Sequence, residues 1–293
     1  MKSILYMPCR QILALTFWVT ALFAPTSLYA HGDLNERIQV LTQAIQTNGA
    51  NPELFLQRGE LQWLHGQPQL AVDDFKRALD LNPTLSAASL GLARSFLDLG
   101  KADEARTLLH IYLEAHPTDP EALLVRARAF ARLGDCRSSA ADYTRALGAH
   151  SAPLPDIYLE RADVLADGGL INEALSSLDE GISKFGRSAS LQMRAIELEL
   201  IRKNPDAALR RLDALIDGAP RKEFLLWRRA AILEDAGRLR DARESYLAAL
   251  AALRTLPPER QSVPAARDLD SKIRAALARL TSIDKPLATA SNQ

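Results

Sequence analysis

The residues that most often carry chemistry are few here and scattered. His65, His110, His116 and His150 form no His-x-x-x-His pair, and no acidic pair gives metal-ligand spacing. His116 and His150 stand 34 residues apart, so two readings are open: solvated turn histidines, or a metal bridge between equivalent sites. A chain beginning at His31 could chelate copper through its amine and ring, although no second histidine lies nearby in sequence. There is no phosphate loop, nucleophile elbow or dinucleotide fingerprint. No catalytic, cofactor-binding or metal-binding residue is therefore assigned, and the chain is not read as an enzyme. Beyond residue 30, Cys136 is the sole cysteine, too few for an internal disulfide. It reads as a small residue near a turn.

Charge narrows the partner class. The chain has 36 basic and 36 acidic residues. Lys2 and Arg10 fall in the first thirty residues, which hold no acid, so the remainder carries 34 against 36, a net of −2. Such a balance gives no long-range field for a phosphate backbone, and no nucleic-acid partner is expected.

Arginine before a small residue recurs, as Arg58-Gly59, Arg126-Ala127, Arg161-Ala162, Arg194-Ala195 and Arg229-Ala230. Asp74 follows Arg58 by 16 residues and Asp142 follows Arg126 by the same 16. Where the arginine is replaced by Leu92, the residue 16 later is Leu108. That joint exchange points to ion pairs inside the fold, because an unpaired charge on a packing face is costly. Arg161, Arg194 and Arg229 have no acid at the same spacing.

The elements that position these residues follow a period. Gly66, Gly100 and Gly134 are 34 apart, Gly169 follows after 35, and Gly237 comes 68 later. Ala71, Ala105, Ser139, Ala174, Ala208 and Ala242 keep the same rhythm. Phe75, Leu109, Tyr143, Leu178, Leu212 and Tyr246 each lie four residues further on. In the unit from Pro52, Phe55, Gly59 and Gln62 mark one helix face. Gly66 opens a turn, and Ala71, Phe75, Ala78 and Leu79 mark a second helix. Small residues allow close helix approach, and Pro83 ends the pair. Each pair buries a face only against its neighbours, so the units stack as a solenoid. One unit departs: Lys203 stands where the turn glycine belongs, and 202–206 reads as a longer turn with the first helix shifted by one.

This pattern strongly resembles the tetratricopeptide repeat family over about residues 52–256. The resemblance implies an all-α, right-handed superhelical solenoid with a concave groove lined by first helices, which receives an extended or helical peptide. Carried onto this sequence, the groove positions include Leu56, Leu90, Leu124, Leu159, Gln192 and Trp227, with Trp63 on the same face as Leu56. Two readings of the leucines remain, a binding row or packing between first helices. The tryptophans favour the groove. The expected partner is a protein or peptide, with an enzyme-accessory or assembly role through the convex face or C-terminal cap as the alternative.

The flanks complete the organisation. Lys2 and Arg10 precede the apolar run 11–24, and Pro25 breaks it. Fourteen residues of helix reach about 21 Å, short of the roughly 30 Å hydrocarbon core, which favours a signal peptide over residues 1–30. An uncleaved anchor is the alternative. A cleaved chain would be periplasmic or secreted, with no membrane insertion. Residues 31–51 read as a half-repeat capping helix, 52–256 as six repeats, and 257–293 as a capping helix with a disordered tail.

Overall fold

The computed structural model describes the backbone of residues 26–283 apart from Arg187. The apolar run 11–24 and the tail from 285 lie outside the described residues. Among the described residues there are fifteen helices and no strand, and no helix is long and apolar enough to cross a membrane.

Twelve of the helices form six consecutive pairs. These are α2 (Pro52–Leu64) with α3 (Pro68–Leu81), α4 (Ser86–Asp98) with α5 (Ala102–Ala115), and α6 (Pro120–Arg132) with α7 (Cys136–Ala149). Then come α8 (Pro155–Asp167) with α9 (Ile171–Phe185), α10 (Ala189–Ile201) with α11 (Pro205–Gly218), and α12 (Glu223–Asp235) with α13 (Leu239–Arg254). Before them lies α1 (Thr26–Thr47). After them lie the short α14 (Pro258–Gln261) and α15 (Pro264–Ile283). The chain divides into two compact units, one holding α1 to α7 with most of α8, the other holding Tyr158–Ala162 and everything from Ile171.

Local chemistry explains where helices begin. Proline occupies the first helical position of α2, α3, α6, α8 and α11, where its missing N–H is no loss. Asn51, Asp119, Asp135 and Asn204 accept backbone N–H bonds at the starts of α2, α6, α7 and α11.

Within a pair the connection is always three residues long. In the first pair Gly66 takes φ +76°, its N–H donating to the Trp63 carbonyl while the Gln67 N–H donates to that of Gln62. The fifth pair corrects the sequence reading. Its turn is 202–204, no longer than the others, and Lys203 itself adopts φ 61°. The Lys203 N–H donates to Leu200 and that of Asn204 to Glu199, the same hydrogen bonds as in the first turn. A side chain there costs roughly 1 kcal/mol that glycine avoids.

In the first unit the ring of Phe75 is held between two glycines. Phe75 is buried, and a Cβ placed on Gly59 or Gly91 would come within 2.9 or 2.5 Å of its ring. Bulk at either position would drive α2 or α4 away from α3. In the second unit, α15 packs on α13 and buries Leu269, Ile273, Ala276 and Leu280, which closes the hydrophobic core of that end.

Candidate interaction surface

The arginine ladder is resolved by the geometry. Arg58 binds Asp74 in a fork, Nε donating to Oδ2 at 2.7 Å and Nη2 to Oδ1 at 2.6 Å. Its Nη1 also donates to Thr42 of α1 at 3.1 Å. Arg126 grips Asp142 the same way at 2.6 and 2.9 Å. Leu92 and Leu108 meet in one apolar cluster, as their exchange requires. In the fourth and sixth pairs the residue 16 later is a serine: Arg161 donates to Ser177 Oγ at 2.8 Å and Arg229 to Ser245 Oγ at 2.6 Å. Their acids come from other places, Glu180 for Arg161 and Asp213 for Arg229. A search for acids alone at one spacing misses the hydroxyls.

The fifth pair also moves a predicted site residue. Every first helix of a pair spans 13 residues, with the small packing residue eighth, as Gly59 is in α2. In α10 that eighth residue is Ile196, fully buried, and not Ala195. Arg194 is therefore not a member of the ladder. Its Nη1 pairs with Glu197 one turn on, at 3.2 Å. The ladder position itself is Ala195, and the facing place on the second helix is Arg211. This arginine donates through Nε to the buried Glu199 at 3.3 Å and through both Nη to Asp179 at 2.6 and 2.9 Å. The hydrogen bond to Asp179, more than burial opposes, raises the Arg211 guanidinium further above its ordinary value. The charge pair is inverted.

The same shift corrects the groove row. Gln192 stands at the helix position occupied by the buried Phe55, Leu123 and Tyr158, and its Oε1 is buried without a hydrogen-bond partner. The residue equivalent to Leu56 is Met193. In the first unit the row is Leu56, Leu90 and Leu124; in the second it is Leu159, Met193 and Trp227. All six are half-buried. Leu56, Leu90 and Leu124 pack on the first unit's core clusters, and Met193 and Trp227 on that of the second. These positions support the core and present the remainder of the side chain at the surface, so the two readings of the leucines are not exclusive.

Trp63 has a local task. Its Nε1 donates to Asp98 at 2.7 Å, and the Arg94 guanidinium stands 5.6 Å from its ring. Arg94 in turn pairs with Glu121 of α6. The indole thus ties α2 to α4, using both its polar edge and its π face. Trp227 differs: it touches Phe224, with ring centroids 5.4 Å apart, and lines a cavity of about 340 Å³ beside α15.

Tyr112 and Cys136 have local explanations. Tyr112 donates to Asp119 at 2.7 Å, and burial followed by that bond pushes its phenol up to about 12. Burial, then the charge of Asp167, pushes the Cys136 thiol up, away from the reactive thiolate. Among the described residues, no three His, Cys, Asp or Glu side chains stand where they could share a metal ion.

Two tetratricopeptide repeat family models match the chain, over residues 62–129 and 124–189. No curated protein matches it in sequence. Among solved structures it is similar to a tetratricopeptide repeat protein from Parabacteroides merdae, with 18% identity and a TM-score of 0.54 over 87% of this chain and 95% of that one. It is also similar to YrrB, a TPR protein with an unusual peptide-binding site, at 19% identity and TM-score 0.51 over 64% and 95%. The MamA protein matches at 16% identity and TM-score 0.50 over 56% and 89%. At these identities the likeness speaks for the fold, a helical repeat solenoid. The matched repeats span residues 62–189, and two further helix pairs with the same three-residue turns, α10 with α11 and α12 with α13, follow them; this chain is a tetratricopeptide repeat protein.

Proposed function

We propose that the chain is a protein-interaction scaffold that holds a polypeptide partner against the row of its first helices, in the periplasm or outside the cell. The observation that carries this is the recurrence of a half-buried apolar residue at one helix position in all six pairs, Leu56 to Trp227. A position needed only for packing would be served by a fully buried residue, as Leu97 and Leu123 are. Within each unit a repeated, partly exposed apolar position offers a partner successive anchors. The peptide-binding site named for YrrB, a protein of the same fold, agrees with this use. Lys2 and Arg10 ahead of an apolar segment of fourteen residues support export, with residues 1–30 removed.

Capture with crosslinking tests the row. Leu124→Ala should weaken retention of the native partner by roughly 1–3 kcal/mol. Because Leu124 packs on the core, it should also lower stability moderately. Retention unchanged by both Leu90→Ala and Leu124→Ala would remove the row from the interface. Mass spectrometry should find the mature chain beginning at or near His31, and an intact Met1 terminus in the cytoplasm would refute export.

A further inference from the structure

We propose that the C-terminal end of the second unit carries a pocket for one bulky, uncharged side chain of a bound polypeptide. The pocket lies between α12, the end of α13 and the start of α15 and has a volume of about 340 Å³. Trp227, Leu253 and Leu269 line it, and Phe224 and Val263 stand at its mouth, 48% and 43% exposed. The tilted pair of Phe224 and Trp227 makes an aromatic wall. Volumes of ligand pockets begin at roughly 300 Å³, so this one admits a single large side chain and not a packed helix.

Charge decides the occupant. Four ionised groups line the pocket, and they satisfy one another. Arg221 donates to Glu223 from Nε at 2.7 Å, and its Nη2 lies 2.5 Å from the same oxygen. Lys272 pairs with Asp268 at 2.7 Å. Glu223 is buried in the first turn of α12, where the helix dipole favours a carboxylate. An entering acid or base would find a neutral rim and would give up its water against aromatic and aliphatic walls. A phenylalanine or leucine side chain gains from the same burial. This inference rests on the interaction-scaffold reading and narrows it to the chemistry of one anchor.

The full chain labelled with 5-fluorotryptophan provides the test, its Trp227 resonance assigned through Trp227→Phe. A blocked pentapeptide, acetyl-Gly-Ser-Phe-Ser-Gly-amide, should shift the Trp227 signal and leave that of Trp63 in place. The same peptide with Glu or Lys for Phe should bind at least tenfold more weakly. Val263→Asp, at an exposed position that caps the start of α15, should weaken the Phe peptide at least tenfold without lowering Tm. A shift of equal size with the charged peptides, a response to octyl glucoside alone, or unchanged binding to the Val263→Asp chain would overturn the proposal. If these peptides fail while Leu124→Ala still weakens capture of the native partner, the pocket is wrong and the scaffold reading stands. Failure of both removes both.

Discussion

The first and fifth helix pairs answer one packing problem with opposite chemistry. In α2 and α3 the cation stands on the first helix, and Arg58 reaches Asp74 across the pair. In α10 and α11 the first helix offers Ala195, and the cation, Arg211, comes from the second helix to meet Glu199. The position itself does not demand arginine. It demands that whatever polar group is placed there be answered nearby, since an unanswered charge in that setting is costly. The second pair, with Leu92 against Leu108, shows that an apolar answer also serves.

The comparison can be broken most forcibly at Arg211. Its removal leaves the buried Glu199 with Arg202 alone, whose side chain is 38% exposed. Arg211→Leu should therefore cost roughly 3 kcal/mol in denaturant unfolding, at the low end for breaking a buried pair. A cost no larger than that of an exposed salt bridge would mean that Glu199 is not held by this contact.

Arg58→Leu should cost roughly 1–3 kcal/mol by stranding Asp74. The double change Arg58→Leu with Asp74→Leu should recover much of that loss, because it recreates the arrangement of the second pair. Losses that simply add would show that the two side chains are uncoupled.

The smallest effect sharpens the comparison at the turns. Lys203→Gly should stabilise the chain by roughly 1 kcal/mol, since the backbone there already has a glycine conformation. Gly66→Ala should cost a similar amount. A neutral result for Lys203→Gly would show that the lysine side chain contributes contacts that offset its backbone strain.

These particulars also show what a sequence can disclose. The period, the turn glycines and the pairs Arg58–Asp74 and Arg126–Asp142 are legible because each requires a specific residue type at a fixed distance. The fifth pair hides its register by mimicry. Arg194-Ala195 copies the arginine-small signature one residue early, while Lys203 conceals the turn that would have corrected it. That single slip is what places Gln192 in the row in preference to Met193. The hydroxyls of Ser177 and Ser245 are missed for another reason: a search for opposite charge does not count a neutral acceptor. The cavity beside Trp227 is invisible in principle, because it depends on how α15 closes against α12 and α13.

The locally answered packing position bears on how such a chain can change over generations. A helix pair such as α6 with α7 contains both Arg126 and Asp142, so copying or deleting it as a block carries lock and key together. Single substitutions at either place must pass through a stranded charge first. The fifth pair is less portable, because Arg211 also holds Asp179 of the pair before it. Duplication of a whole block is thus the easier inheritance for a pair such as the third, whereas Arg211 links the fifth pair to the fourth and Arg229 links the sixth to the fifth through Asp213.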